Sequence, residues 1–516
     1  MKYYKLAFKI LIMYRVYFDW NVYCLMRDRD KNTLGQELYD LVKGCDDIMC
    51  IPYSQVHLQD LTKGSEKKCN QAYINNDLNF IDSISKNYYI ALDALKTKEI
   101  HPYYVSATEA FENIKENHGK EIADYVNQLF DYNDNPDLSL ITEKVNLYLR
   151  TMPISFDYNL LTNDPLSIKM YEGKFHEFKE NNTLYNFMLG WSRFYKEMKE
   201  NPDVYNELTT VFRNSLNINT STISNANKPI EEINKVLSEK LDSNFDLISS
   251  TVNPNIKGTS DLFLKFVTEM GFLDMIGYHP DKLDKKNLYS NYTNDTHHSF
   301  YAAHCDYFIS EEKKLLEKSR IMYDRYGCKT KTLTVKEFID EFKQIKKEFT
   351  IEDIINPLNN TIENEEGKYI ISGDDFKAYQ YELNPPVLGC FNLLYTRFYN
   401  DNSTAYVFRH FRYNFSNFVL YTEIESIVDK FLKIFGNDVN QKAEITEDDR
   451  KQIADNEWTG RVWIIEGFIF LLRYEKSDLS LILEIEPITE RLILENNLSI
   501  VSLNNELTAS NRTDTY

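Results

Sequence analysis

Glycine and proline are scarce, 16 and 13 in a chain of 516 residues. That excludes collagen-like and Pro/Gly-rich disordered classes and favours long helices over many tight turns. Cysteine is scarce as well: seven residues, an odd number, with no C-x-x-C. Neither a disulfide framework nor a zinc ribbon is expected, and a reducing cytoplasm is the simplest setting. No uncharged apolar run reaches the ~20 residues that a transmembrane helix needs. Lys2, Lys5 and Lys9 lie in an apolar opening segment, but Arg15 and Asp19 interrupt it and no A-x-A site follows. This argues against a signal peptide; Met1 and Met13 both stand as starts. Walker A, G-x-G-x-x-G and G-x-S-x-G patterns are missing. Nucleotide hydrolysis, dinucleotide binding and serine-hydrolase chemistry are therefore unsupported. Positive charge is in deficit, 59 Lys+Arg against 79 Asp+Glu, net −20, which excludes a general nucleic-acid coat.

Apolar residues are plentiful, at 43% with 37 Tyr and 31 Phe, enough for sizeable cores in about two to four domains. Residues 15–19 read as a buried strand ending in an acid. Leu34, Leu38, Leu41 and Val42 follow at helical spacing, 48–52 reads as a strand, and Ser54 stands where a cap opens the next helix. Strand, helix, strand, helix is the pattern of an α/β sheet. From 76 to 290 the pattern is helical; Ile230, Ile233, Val236, Leu237 and Leu241 mark one face, and the polar stretch 217–228 reads as a long loop. The α/β pattern returns at 291–350, with a helix at 295–304, a strand at 307–309, a helix at 311–326 and a further strand and helix at 330–333 and 335–345. Residues 365–500 read as a mixed α/β module. Its expected strands are 369–372, 406–413, 461–474 and 479–485, and its helix at 424–435 ends at Gly436. Residues 503–516 read as a disordered tail.

Acids recur where strands end or helices begin: Asp19, Asp60, Asp295, Asp306, Glu311 and Glu312. Open α/β sheets bind ligands at the carboxyl ends of their strands. Carboxylates converging there suit a hard cation such as Mg²⁺ or Mn²⁺, and such ions clamp the attacking and leaving oxygens of a phosphodiester. The plainer reading of the same acids is solvated side chains and helix caps.

The wording of three segments adds a resemblance. Arg15-Val-Tyr-Phe-Asp19-Trp-Asn21 resembles the opening strand of PIN-like nucleases. Pro52-Tyr-Ser54-Gln-Val-His57-Leu-Gln-Asp60 is similar to a Tyr-Ser-x-x-His-x-x-Asp segment of large bacterial PIN-like proteins. Asn294-Asp295-Thr-His-His298, then Asp306-Tyr-Phe-Ile-Ser310-Glu-Glu312, then Thr332 to Phe338, resemble the family's C-terminal half. The likeness covers roughly 14–75 and 290–345. It implies a Rossmann-type three-layer α/β/α core with a parallel sheet, its halves at 13–75 and 291–350, split by a large helical insertion. It implies a metal-dependent endonuclease, a hydrolase cutting RNA in preference to DNA with Mg²⁺ or Mn²⁺. Carried over by position, Asp19 is the central metal ligand and Asp295 the second. Glu312 matches the acid two residues after the Ser/Thr, and Asp306 the acid opening the strand. Asp60 is the early second acid, with Glu37 the alternative. Glu312 stands where the family usually carries Asp, and its extra methylene shifts the carboxylate. Ser310 would orient a carboxylate, while Asn21, Ser54, His57 and His298 would support ligands or touch phosphate. By analogy, a split core with a large accessory fits a prokaryotic defence or stress ribonuclease under tight control.

Rival constellations fare worse. His297, His298, His304 and Cys305 suggest zinc, but on one helix the 297/304 and 298/305 pairs lie two turns and about 10 Å apart, too far for one tetrahedron. Cys45 and Cys50 read as small packing residues rather than a redox pair. The run from Tyr406 to Tyr413, with Arg409 and Arg412, alternates like a half-buried strand more than a base-stacking platform. The main functional alternative is a catalytically inactive PIN-like protein that binds or regulates a protein partner, with the C-terminal module as the contact for a regulator. No membrane partner is expected.

Overall fold

The computed structural model describes residues 14–45, 48–67, 71–92, 100–115, 150–153, 173–252, 259–285, 288–344, 351–364, 366–372, 376–388, 390–401, 403–410, 421–454, 457–475 and 480–488. Met13, Cys69, Arg412, Tyr413 and the segment 503–516 lie outside the described residues.

Strand β1 (Tyr14–Phe18) is buried at every position. It pairs in parallel with β2 (Met49–Cys50) on one side and β6 (Tyr307–Ile309) on the other, and β6 pairs in parallel with β7 (Lys331–Leu333). The order is β2-β1-β6-β7. Side chains on a strand alternate between faces. Tyr14, Val16 and Phe18 join one core with Tyr307 and Ile309, whereas Tyr17 and Phe308 join another. A sheet covered on both faces needs apolar residues at successive positions, which is why Val16-Tyr-Phe18 and Tyr307-Phe-Ile309 show no polar alternation. The exception, Arg15, is buried and donates to His304 O at 3.3 Å.

The first core receives α1 (Trp20–Arg27), α2 (Thr33–Gly44), α3 (Gln55–Lys67), α4 (Gln71–Ser85) and α5 (Ala107–Lys115). Asn32 caps α2 by accepting from Leu34 N and Gly35 N. Gly35 lets α2 approach α1: a Cβ there would collide with the carbonyl oxygen of Leu25. The second core is built on α8 (Pro229–Leu241) and α9 (Thr259–Ile276), with α10 (Tyr289–Ala302) and α11 (Lys313–Tyr326) lying against the sheet, while α6 (Leu184–Glu200) and α7 (Pro202–Ser215) meet in a smaller cluster of Phe194, Met198, Tyr205, Leu283 and Tyr292. The last core helix, α12 (Val335–Phe342), starts with a reciprocal capping box between Thr334 and Glu337.

Three expectations need correction here. The segment expected to be wholly helical carries two strands, β4 (Tyr88–Leu92) and β5 (Ile100–Tyr104), which form a sheet with β3 (Tyr53–Ser54). Tyr-Tyr-Ile-Ala-Leu is a short continuous apolar run, which periodicity alone cannot assign. The polar stretch 217–228 contains a short helix, Thr220–Ser224, capped by Asn219. Asp295 does not open a helix; α10 starts six residues earlier, at Tyr289.

The C-terminal module is a seven-stranded antiparallel sheet, ordered β12-β13-β14-β11-β10-β9-β8. Its strands are β8 (Lys368–Ser372), β9 (Phe376–Val387), β10 (Phe391–Tyr399), β11 (Thr404–Arg409), β12 (Arg461–Ile465), β13 (Phe468–Glu475) and β14 (Ser480–Pro487). The expected single strand at 461–474 is a hairpin. Glu466 and Gly467 both take positive φ, 49° and 83°, between paired Ile465 and Phe468, as a two-residue primed turn requires. Helix α13 (Tyr421–Phe435) buries Ile424, Ile427, Val428 and Phe431 in the same core as Trp463 and Phe470. No helix among the described residues is long and apolar enough to cross a membrane.

Candidate acidic site at the carboxyl end of the sheet

Asp19 follows the last residue of β1 and caps α1, its Oδ1 accepting from Val22 N at 2.8 Å. Its Oδ2 accepts from the Ser310 hydroxyl, just beyond β6. The register Phe18↔Ile309 puts these two residues side by side. Ser310 Oγ in turn accepts from Glu312 N at 3.0 Å, and Asn21 donates to Glu312 Oε1 at 2.5 Å. One serine hydroxyl thus links both acids, and the turn between β6 and α11 is fixed by it.

Asp60 comes from α3 and meets α10. Asn294 donates to Oδ1 at 2.6 Å, and His298 Nε2 lies 2.9 Å from Oδ2. Residues four apart share a helix face, so Asn294 and His298 grip one carboxylate together. Behind His298 runs a buried chain of polar contacts. Its Nδ1 lies 2.9 Å from Tyr17 Oη, which lies 2.7 Å from Ser54 Oγ, itself 3.3 Å from His57 Nδ1. Ser54 N donates to His57 Nδ1 at 3.0 Å, so His57 carries its proton on Nε2 and donates to Phe18 O at 2.8 Å. Burial, then the charge of His298, pulls the His57 pKa down to about 3. It is a neutral ring that ties α3 to the end of β1.

Asp295 sits beside Asn294 on α10. Burial raises its pKa well above the usual 3.8, and the charges of Glu312, Asp60, Asp19 and Asp281 push the same way. Glu312 is raised by burial and by Asp19 and Asp281, offset partly by His298 and by the Asn21 hydrogen bond. Asp19 is raised by burial despite its bonds to Ser310 and Val22. These carboxylates are near enough to oppose one another's ionisation. No hydrogen bond or ion pair to a described residue holds Asp295. Among the described residues, no three His, Cys, Asp or Glu side chains are arranged to hold a metal ion together.

Two expected residues stand elsewhere. Asp306 opens β6, at the opposite end of the sheet from Ser310, where its Oδ2 accepts from Arg15 N at 2.8 Å. Three residues of strand, about 10 Å, separate it from the acids around Asp19. Its backbone N–H donates to Arg15 O at 2.9 Å, so Asp306 serves strand pairing. Glu37 lies on α2 and pairs with Lys343, whose bond lowers its pKa. Of the rival sites, His297 packs on Phe263 while His298 faces Asp60, so the two do not converge. Cys45 and Cys50 are both buried. Glu311 accepts from Val335 N and caps α12.

Sequence reasoning gave no role to Tyr17 and Asn294. The Asn294–His298 spacing was the one available signal. Tyr17 looks like any other buried strand residue. The chain matches no family model, no curated protein and no solved structure.

Proposed function

We propose that Asp19, Asp60, Asp295 and Glu312 bind Mg²⁺ or Mn²⁺, and that the protein is a metal-dependent nuclease with a PIN-like three-layer core, cutting RNA in preference to DNA. The observation that carries this reading is geometric: at the carboxyl ends of β1 and β6 the Ser310 hydroxyl bonds both the Asp19 carboxylate and Glu312 N, and Asn294 with His298 on α10, the helix that carries Asp295, grips Asp60. Such a set is costly when ionised and is relieved by a divalent cation. The donors are all carboxylate oxygens, the ligand type that suits Mg²⁺ and Mn²⁺ rather than zinc. A bound cation would supply charge neutralisation at phosphate and activation of water.

The protein's own groups do the positioning. Ser310 and Val22 N fix both oxygens of Asp19, Asn21 turns Glu312, and Asn294 with His298 orients Asp60. Supporting groups of this kind set ligand orientation. The net charge of −20 repels a polyanion in bulk, so substrate must be held at the site and not by the general surface. A second reading, a protein-binding module without catalysis, draws on the same net charge and on Glu312, one of whose oxygens is engaged by Asn21.

Labelled single-stranded RNA and DNA are incubated with Mn²⁺, with Mg²⁺ and with EDTA. Cleavage is expected with either cation, abolished by EDTA and reduced about a hundredfold or more in Asp19→Asn and Asp295→Asn, since several kcal/mol of charge stabilisation depend on the cation. Absence of both cleavage and Mn²⁺ binding leaves the protein-binding reading.

A further inference from the structure

One face of the C-terminal sheet runs out of its core into solvent. Tyr381, Leu394 and Phe408 are direct cross-strand neighbours in the core that α13 joins. Side chains two residues apart on a strand share a face. Two residues along β9, Tyr379 stands opposite Thr396 on β10 and opposite Tyr369 on the edge strand β8. Two further along, Lys377 stands opposite Phe398. The rings meet on this face. Tyr379 lies 5.7 Å from Tyr369 and 6.0 Å from Phe398 between centroids, edge to face at 70° and 74°. Tyr379 is half-buried and packs on the core, whereas Tyr369 and Phe398 are 54% and 41% exposed. An aromatic row anchored by its middle ring thus presents a ring to solvent on either side.

The charge beside these rings has one sign. Lys377 is exposed directly opposite Phe398, and Lys368 is exposed next to Tyr369. No ion pair or side-chain hydrogen bond to a described residue holds either ammonium. No Asp or Glu is paired in the rows that carry Tyr379 and Phe398. In a chain of net charge −20, that is a local reversal. Protein interfaces enrich aromatic residues but deplete lysine. A platform for single-stranded nucleic acid uses both, rings under the bases and cations at the phosphates.

We propose that this face binds single-stranded nucleic acid, with bases stacked on Tyr369 and Phe398 and a phosphate held by Lys377. The proposal goes beyond the acidic site and needs no cation there. It supplies a local hold on a polyanion that the chain as a whole repels. Stacking accepts any base, because every base has a π-face, so little sequence preference is expected.

Fluorescence anisotropy is measured on the full chain in EDTA with labelled oligouridylate, oligothymidylate and a duplex of equal length. Both single strands are expected to bind more tightly than the duplex, and the tighter of the two names the sugar. Affinity is expected to fall about tenfold or more in Tyr369→Ala and in Phe398→Ala, and to be kept in Tyr369→Phe and Phe398→Tyr, which retain a ring. Lys377→Gln is expected to lower the slope of log affinity against log salt by about 0.7. All five positions changed are at exposed side chains, so melting temperatures near wild type are expected and check the fold. A wild type that binds neither single strand overturns the proposal, as do alanine variants that bind like wild type. A dimer lost in Phe398→Ala, without nucleic-acid binding, overturns it in favour of a second copy of this chain. RNA cut with Mn²⁺ equally well by wild type and both alanine variants, at equal affinity, overturns this proposal and leaves the reading of the acidic site standing.

Discussion

Tyr17 connects parts of the site that the chain keeps far apart. Its hydroxyl sits between Ser54 and His298, at 2.7 and 2.9 Å, inside a fully enclosed core. Burial drives its pKa well above the ordinary 10.0, so the phenol stays protonated and acts as a hydrogen-bonding bridge. Tyr17→Phe keeps the ring and removes the bridge. Stability is expected to fall by about 1–3 kcal/mol, the cost of leaving buried polar partners unmade. Urea unfolding checks this, and a wild-type midpoint would show that the bridge is energetically silent. At this scale the sequence was partly legible. Asp19, Ser310, Asp60 and His298 lie at strand ends or helical spacings, where position implies a shared neighbourhood. Tyr17 was illegible because a strand covered on both faces gives no polar alternation to mark it.

Among the elements, the short parallel strands were easiest to read. Tyr307–Ile309 appeared at its expected bounds because an acid, a tight apolar triplet and a serine frame it. The C-terminal sheet was read only in part. Its two longest strands, β9 and β10, went unnoticed because Phe376–Val387 and Phe391–Tyr399 mix polar and aromatic residues without strict alternation. Arg461, expected as an ordinary β12 residue, proves to be a buried hub. It donates to Asp438 at 2.8 Å, to Asp449 at 2.6 Å and to Glu444 O at 2.7 Å. Burial opposes the Asp449 charge, but the Thr446 hydrogen bonds and Arg461 outweigh it and hold that carboxyl below the usual range. This contribution is present above pH 3.8, the ordinary value, and is lost as pH falls further. Arg461→Met strands two buried carboxylates, and a loss of about 3–5 kcal/mol is expected. Chemical denaturation monitored by tryptophan fluorescence reads it, and an unchanged midpoint would assign the hub no net stabilising role.

At the scale of the whole molecule, the acidic site adds a pH response opposite in sign to that of Asp449. Asp19, Asp295 and Glu312 have raised folded pKa values. Well below their ordinary values, 3.8 for Asp and 4.5 for Glu, folded and unfolded chains are both protonated there and these groups contribute nothing. As pH rises, the unfolded chain releases protons that the folded one keeps, and stability falls. A cation that binds only the folded state reverses this loss, by about 2.7 kcal/mol at a hundred times its Kd. Mn²⁺ is therefore expected to raise the melting temperature more at about pH 8 than at about pH 5, and Asp295→Asn to abolish most of the difference. An equal shift at both pH values would place the cation away from these acids.

The order β2-β1-β6-β7 also has a consequence in time. Asp19 and Ser310 are hydrogen-bonded across 291 residues of chain. At about 5–20 residues per second, a ribosome needs on the order of 15–60 s to travel from one to the other. During that interval β1 has β2 available on one side, and its other edge waits for a strand not yet made. The acids from the two halves meet only when synthesis has passed Glu312, so a nascent chain carries Asp19 and Asp60 without the partners that complete the set. The assembled acidic cluster is therefore a late product of synthesis, and its two halves spend most of translation apart.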